Sequence, residues 1–251
     1  MSAGGTNIIF YDIPSTLPQN AWSPNTWKTR YALNYMGLAY KTVWVEHHQV
    51  EALSKGLGAA PTGTRPNGSP LYTLPLIHDL STGAVVADSS KIALYLDATY
   101  PNAGASGRRL IPPGSRALHL AFEAAAHPLL APLYQYGLPA TVAHLRPAST
   151  AYFERTRAEK WGVALADMAP RGAADAVEWQ RVKDGFGTLD AWIQEGGVYL
   201  MGETPCYADL WIAGFVQWIK LVLPERWEDM KLWHGGRWAT LLASLEPYAT
   251  V

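Results

Sequence analysis

The run Trp22-Ser23-Pro24-Asn25-Thr26-Trp27-Lys28-Thr29-Arg30 sets the reading of the first hundred residues. Proline is tolerated in the first turn of a helix, where its missing N–H would have no partner, so Pro24 marks a helix start with Ser23 near its N-terminal end. The helix runs through Trp27, Tyr31, Leu33 and Asn34 and stops at Gly37. Ser23 has two readings. It is a good capping residue, and it is also a hydroxyl placed where a helix N-terminus favours negative charge.

Upstream, Ile8-Ile9-Phe10-Tyr11-Asp12-Ile13 has the β-branched and aromatic content of a strand. Downstream, Tyr40-Lys41-Thr42-Val43-Trp44-Val45-Glu46 alternates as a second strand. Val50 to Leu57 predicts a short helix ahead of a turn-rich stretch from Gly56 to Pro70. Leu71 to Asp79 then holds two short strands around Pro75. The turn Ser81-Thr82-Gly83 precedes Val85-Val86, which makes an antiparallel hairpin edge. Asp88 and Ser89 are capping residues in front of the apolar pattern Ile92-Ala93-Leu94-Tyr95-Leu96. The order βαβ-α-ββα is that of a thioredoxin-like domain, predicted over residues 1–100.

Residues 101–114 are dense in Pro, Gly and polar side chains and read as a linker. From 115 to 251 the spacing is helical, as in Trp179, Val182, Phe186, Leu189, Trp192 and Ile193, and no convincing strand pair is present. The fold class is therefore α/β plus all-α: a thioredoxin-like first domain and an all-helical second one.

Composition narrows the function classes. With 20 basic and 21 acidic side chains, the chain has no excess charge with which to capture nucleic acid or an anionic membrane. The most apolar late stretch, Leu210 to Leu223, is interrupted by Gln217 and Lys220 and falls short of a spanning helix, so it reads as a buried core helix. Cys206 is the only cysteine, which excludes an internal disulfide, a Cys-x-x-Cys pair and a multi-cysteine zinc site. That fits a reducing compartment. The start Met1-Ser2-Ala3-Gly4-Gly5-Thr6-Asn7 has no basic n-region, so a cytoplasmic location is expected. His47-His48 point in different directions and have no carboxylate at ligand spacing, so no metal site is expected.

Three segments, Asn25-Thr26-Trp27-Lys28-Thr29-Arg30, Tyr40-Lys41-Thr42-Val43-Trp44-Val45-Glu46 and Asp88-Ser89-Ser90-Lys91-Ile92-Ala93-Leu94-Tyr95-Leu96-Asp97, resemble the glutathione transferase superfamily, and within it the fungal-specific class A (FuA), related to bacterial β-etherases. The resemblance implies glutathione as co-substrate and puts Ser23 in the role of hydrogen-bond donor to its sulfur. It also implies a cis peptide at Pro75 that exposes the backbone of Leu74 to the cysteinyl unit. Asp88 and Ser89 would receive the γ-glutamyl end, and a helix start attracts a carboxylate on physical grounds as well. A serine forms no mixed disulfide with glutathione.

The same resemblance implies a homodimeric, serine-type transferase of detoxification. Such a protein conjugates or thiolytically cleaves hydrophobic aromatic compounds and binds polyphenols in ligandin fashion. The alternative is a mainly non-catalytic ligandin. Trp22, Tyr134 and Tyr136 are candidate walls of the aromatic site. Gly202-Glu203-Thr204-Pro205-Cys206-Tyr207-Ala208-Asp209-Leu210 resembles the superfamily's capping motif, with Cys206 where Ser or Thr is usual. A thiol bonds weakly, so a weaker cap, or one shifted to Thr204, is expected.

Overall fold

The structure is a computed structural model that describes residues 7–103 and 108–251. Residues 1–6 and the middle of the expected linker, 104–107, lie outside the described residues. The chain opens with strand β1 (Ile8–Asp12), helix α1 (Pro24–Tyr35), strand β2 (Tyr40–Trp44) and helix α2 (Val50–Gly56), the last entered through a 3₁₀ turn at His47–Gln49. Two-residue strands β3 (Gly63–Thr64) and β4 (Pro70–Leu71) come next, then β5 (Leu76–Asp79), β6 (Ala84–Ala87) and helix α3 (Ser89–Thr99).

The main sheet has the order β2-β1-β5-β6. β1 runs parallel to β2, with Phe10 opposite Thr42, and antiparallel to β5, with Phe10 opposite Ile77. β5 and β6 form the expected hairpin, with Ile77 opposite Val86. One expectation shifts: the first of the two strands around Pro75 leaves the main sheet and pairs with β3. Pro75 has no N–H to give to a ladder, so the strand is interrupted there.

The rest is helical: α4 (Arg116–Leu130), α5 (Tyr134–Val142), α6 (Pro147–Trp161), α7 (Leu165–Met168), α8 (Ala173–Ala191), α9 (Tyr207–Val222), α10 (Pro224–Met230) and α11 (Arg237–Leu245). This is a thioredoxin-like domain with a mixed sheet joined to a helical domain. In α8, Trp179, Val182, Phe186 and Leu189 are buried as their spacing predicts, whereas Trp192 lies just past the last helical turn and is 42% exposed.

The two halves meet where α1 packs on α9. Gly214 allows this approach: a Cβ there would lie 2.6 Å from the carbonyl oxygen of Pro24 and 2.9 Å from Cγ of Lys28. α9 is apolar and almost wholly buried, but α1 is also buried along nearly its whole length although its sequence is polar. Its charges are accommodated individually. Arg30 donates to Asp12 at 2.7 Å with both side chains fully buried, and its guanidinium lies 5.0 Å from the centre of the Phe10 ring and 5.6 Å from that of Trp44. Removing one member of such a pair leaves an uncompensated buried charge, so Asp12 and Arg30 fix α1 against β1 as a unit.

Candidate functional site

Ser23 sits in extended conformation immediately before α1, at the N-cap position, yet its side chain makes no capping bond. The first turn is closed by other groups: Trp27 N–H and Thr26 Oγ1 both donate to the Ser23 carbonyl, at 3.0 and 3.2 Å. Ser23 is 6% exposed, so its hydroxyl is confined but free, beside backbone N–H groups that have no intrahelical partner.

Leu74-Pro75 is a cis peptide. The Pro75 carbonyl accepts from Asp88 N–H at 3.1 Å, which ties this loop to the start of α3. Asp88 has φ of 86° and caps α3 with its carboxylate, accepting from Ser90 N–H at 3.0 Å and Lys91 N–H at 3.1 Å. Ser89, the first residue of α3, is buried.

Lys28 links the Ser23 and Asp88 ends of the site. Its ammonium donates to Asn25 Oδ1 at 2.9 Å and lies 4.4 Å from the ring centres of both Trp211 and Phe215 on α9. Burial pulls its pKa down to about 7, against the attraction of Glu123 and Asp88. Glu123, on α4, accepts from Ser90 Oγ, which also lies 3.5 Å from the Tyr207 hydroxyl. Burial raises the Glu123 carboxyl, and the Ser90 bond and Lys28 oppose that rise. The start of α3 is thus held by α4 and α9, and a polar cluster crosses the junction of the two halves.

The sequence matches the family Glutathione S-transferase, N-terminal domain over residues 22–99 and Glutathione S-transferase, C-terminal domain over residues 117–248. The chain belongs to the glutathione S-transferase family. Among curated proteins it is similar to the glutathione S-transferase-like protein ustS of Aspergillus flavus, at 31% identity over 91% of this chain and 89% of the relative. Among solved structures it is similar to a glutathione S-transferase of Ceriporiopsis subvermispora in complex with glutathione, at 45% identity, covering 97% of this chain and 98% of the other with a TM-score of 0.91. It is also similar to glutathione transferase GSTFuA3 of Phanerochaete chrysosporium, at 38% identity over 98% of each chain with a TM-score of 0.90. The resemblance to fungal FuA transferases therefore extends to the whole fold.

The transferase does not bring the three expected aromatic walls together. Trp22 is 3% exposed, donates from Nε1 to the Pro14 carbonyl and packs edge-on to Phe153. Tyr134 is half-buried between Trp161, Phe215 and His127. Tyr136 faces another way: its hydroxyl donates to the Asp175 carbonyl, its ring packs edge-on to Trp179, and it borders a separate cavity of about 500 Å³ with Arg171 and Arg226. Two residues apart on a helix means roughly 200° around the axis, which is why Tyr134 and Tyr136 diverge.

Sequence reasoning missed Lys28 as a site residue, and it missed Ser90, Glu123 and Tyr207. The three-residue spacing of Asn25 and Lys28 on one helix was an available signal. Ser90 and Glu123 stand 33 positions apart and carry no local one. Cys206 does form the capping arrangement: its thiol donates to Asp209 Oδ2 at 3.1 Å and its N–H to the same oxygen at 2.8 Å, with no shift to Thr204. His47 is caged by Trp22, Phe153 and Tyr152, and burial lowers its pKa to about 3. Among the described residues no three His, Cys, Asp or Glu side chains stand close enough to hold a metal, and no helix is long and apolar enough to cross a membrane.

Proposed function

We propose that the chain is a serine-type glutathione transferase in which the Ser23 hydroxyl donates to the glutathione sulfur and stabilises its thiolate. The carrying observation is the confined Ser23 hydroxyl, unengaged at the start of α1. Asp88 and Ser89 at the start of α3 receive the γ-glutamyl end, and Leu74 offers backbone groups to the cysteinyl unit. In support, the backbone of Leu74 makes no hydrogen bond among the described residues, and a structural relative at 45% identity carries glutathione.

A free thiol has a pKa near ~8.5, and lowering it by about two units takes roughly 2.7 kcal/mol of preferential thiolate stabilisation. A charge-assisted bond from Ser23 and the N-terminus of α1 each contribute up to about 2 or 3 kcal/mol in such settings. The Lys28 ammonium adds positive potential one turn along the same helix. The thiolate then attacks an electrophilic carbon of an aromatic compound lodged against the helical domain near Tyr134. The S–C bond forms, the leaving group departs with its electron pair, and the thiol proton goes to solvent. A homodimer belongs to this reading on the strength of the resemblance.

Ultraviolet titration of bound glutathione thiolate in wild type and Ser23→Ala tests the proposal. The thiol pKa should rise by about one unit or more in the variant and turnover should fall about tenfold, with glutathione affinity little changed. An unchanged thiol pKa and unchanged turnover across several substrates would remove Ser23 from the mechanism. Tight aromatic binding without product in the wild type would return the ligandin reading.

A further inference from the structure

The cavity beside Tyr136 lies on the face of α5 turned away from Tyr134, because two residues on a helix are separated by roughly 200° around its axis. It holds about 500 Å³ between α5, the turn that joins α7 to α8, and the start of α10. Ser23, Asp88, Ser89 and Tyr134 are not among the described residues that line it.

Its polar side is built around Arg226. The guanidinium lies 4.8 Å from the centre of the Trp179 ring and 5.2 Å from that of Tyr136, and its Nη2 donates to Asp175 Oδ1 at 2.5 Å. The supporting groups are themselves tied down: the Tyr136 hydroxyl donates to the Asp175 carbonyl at 3.0 Å, and Trp179 Nε1 donates to Asp229 Oδ2 at 2.7 Å. The Arg226 bond holds the Asp175 carboxyl below its ordinary value, so this acid stays ionised and committed to its partner. Nε and Nη1 of Arg226, by contrast, make no hydrogen bond among the described residues, on a side chain only 28% exposed.

Arg171, on the α7–α8 turn, donates to the Ala166 carbonyl at 2.8 Å and forms no ion pair among the described residues. It balances Glu225, which is exposed and likewise unpaired. The other walls are aliphatic: Pro139 and Ala140 from α5, Ala169 and Pro170 from the turn, and Leu223 ahead of α10.

We propose that this cavity is a second small-molecule site, for an aliphatic monocarboxylate whose oxygens accept from the free N–H groups of Arg226 and whose chain lies along Pro139, Ala140, Pro170 and Leu223. A volume of this order is within the range of about 300–1,000 Å³ that encloses small ligands. A guanidinium already oriented by Asp175 and two rings loses little freedom when it binds, and charge-assisted bonds to a carboxylate are the strongest that its remaining donors can form. The site is independent of the role given to Ser23.

Calorimetric titration of the full-length protein with octanoate, octanamide and butanoate, with S-hexylglutathione at saturation to occupy the transferase cleft, tests the proposal. Octanoate should bind about tenfold more tightly than octanamide. Each CH₂ should tighten binding about two- to fourfold, so octanoate should exceed butanoate by more than about tenfold. Arg226→Gln should erase the preference for octanoate over octanamide, and Arg226→Lys should restore part of it. Arg171→Gln, on an exposed side chain, should cost about two- to threefold. Ala140→Phe, which fills the cavity from α5, should abolish binding of both octanoate and octanamide and leave glutathione affinity unchanged. That variant carries the test if Arg226→Gln does not fold. Equal affinity for octanoate and octanamide, insensitive to Arg226→Gln, overturns the carboxylate assignment. Octanoate binding that survives Ala140→Phe, or that S-hexylglutathione displaces, puts the ligand elsewhere and overturns the site. An absence of octanoate binding at concentrations of about 10 mM overturns it as well.

Discussion

α1 and α9 lie against each other, one from each domain, and their N-terminal caps behave in opposite ways. Ser23 is a residue type well suited to capping, and its side chain is idle. Cys206 is a poor capping residue, and its thiol and N–H both engage Asp209, whose other oxygen accepts from Leu200 N–H at 2.8 Å. Burial and the Asp209 charge push the Cys206 thiol up, so it stays protonated and inert. A hydroxyl withheld from its own helix remains available to a ligand, whereas a thiol committed to its helix serves the fold. On the proposed reading the molecule has one helix start for chemistry and another for stability, and the first of them meets α9 two turns beyond the second, at Gly214.

The largest effect should come from the stability end. Asp209→Ala strands the N–H groups of Cys206 and Leu200 inside the protein. At about 1–3 kcal/mol for each unsatisfied donor, the loss should be roughly 2–6 kcal/mol, read as a fall in Tm of the order of 10 °C. The thiol of Cys206 should at the same time become open to alkylation at pH 8, to which it is closed in the wild type. A loss below about 1 kcal/mol would mean that the α9 cap is as idle as that of α1.

Gly214→Ala attacks the contact between the two helices. The new methyl group would meet the Pro24 carbonyl, which is backbone and cannot rotate away, so α1 or α9 must shift. Overpacking of this kind costs about 1–3 kcal/mol, and the shift should also misplace Ser23, lowering kcat about tenfold or more. A destabilised variant with wild-type kcat would show that the α9 side of the contact gives way and that Ser23 is held by β1 and the sheet alone.

The two helices also differ in how legible they were. The position of α1 was readable from Pro24 and Gly37, and the strand order from alternation and turn residues. Its near-total burial was not readable: Thr26, Lys28, Thr29 and Arg30 look like a solvated face, and their partners Asp12, Asn25, Trp211 and Phe215 are mostly supplied by the tertiary fold. α9 was legible as a core helix because apolar side chains record burial directly. In the site, Asp88 as a cap was local and readable. The Ser90–Glu123 link was not, because it joins two domains. Tyr134 and Tyr136 were grouped by composition, and only helix geometry separates them.

Cys206→Ser should give a smaller effect of opposite sign. A hydroxyl is a stronger donor to Asp209 and a better helix cap, while the thiol it replaces packs as a small apolar group. The balance favours stabilisation by about 0.5–1 kcal/mol, a rise in Tm of some 2–4 °C, with turnover unchanged. Destabilisation would show that packing of the sulfur outweighs its hydrogen bond.

The smallest expected change is the most pointed. Because the Ser23 hydroxyl makes no bond among the described residues, Ser23→Ala should alter unfolding free energy by less than about 0.5 kcal/mol, although the same substitution at an engaged cap typically costs about 1 kcal/mol. Chemical denaturation without glutathione measures this, and with saturating glutathione the wild type should pull ahead only by the small difference in ligand affinity. A loss of about 1 kcal/mol or more in the free protein would mean that Ser23 caps α1 in solution. The hydroxyl oxygen would then accept from its own helix while its O–H donated to a sulfur, and the two helix starts would no longer differ in kind.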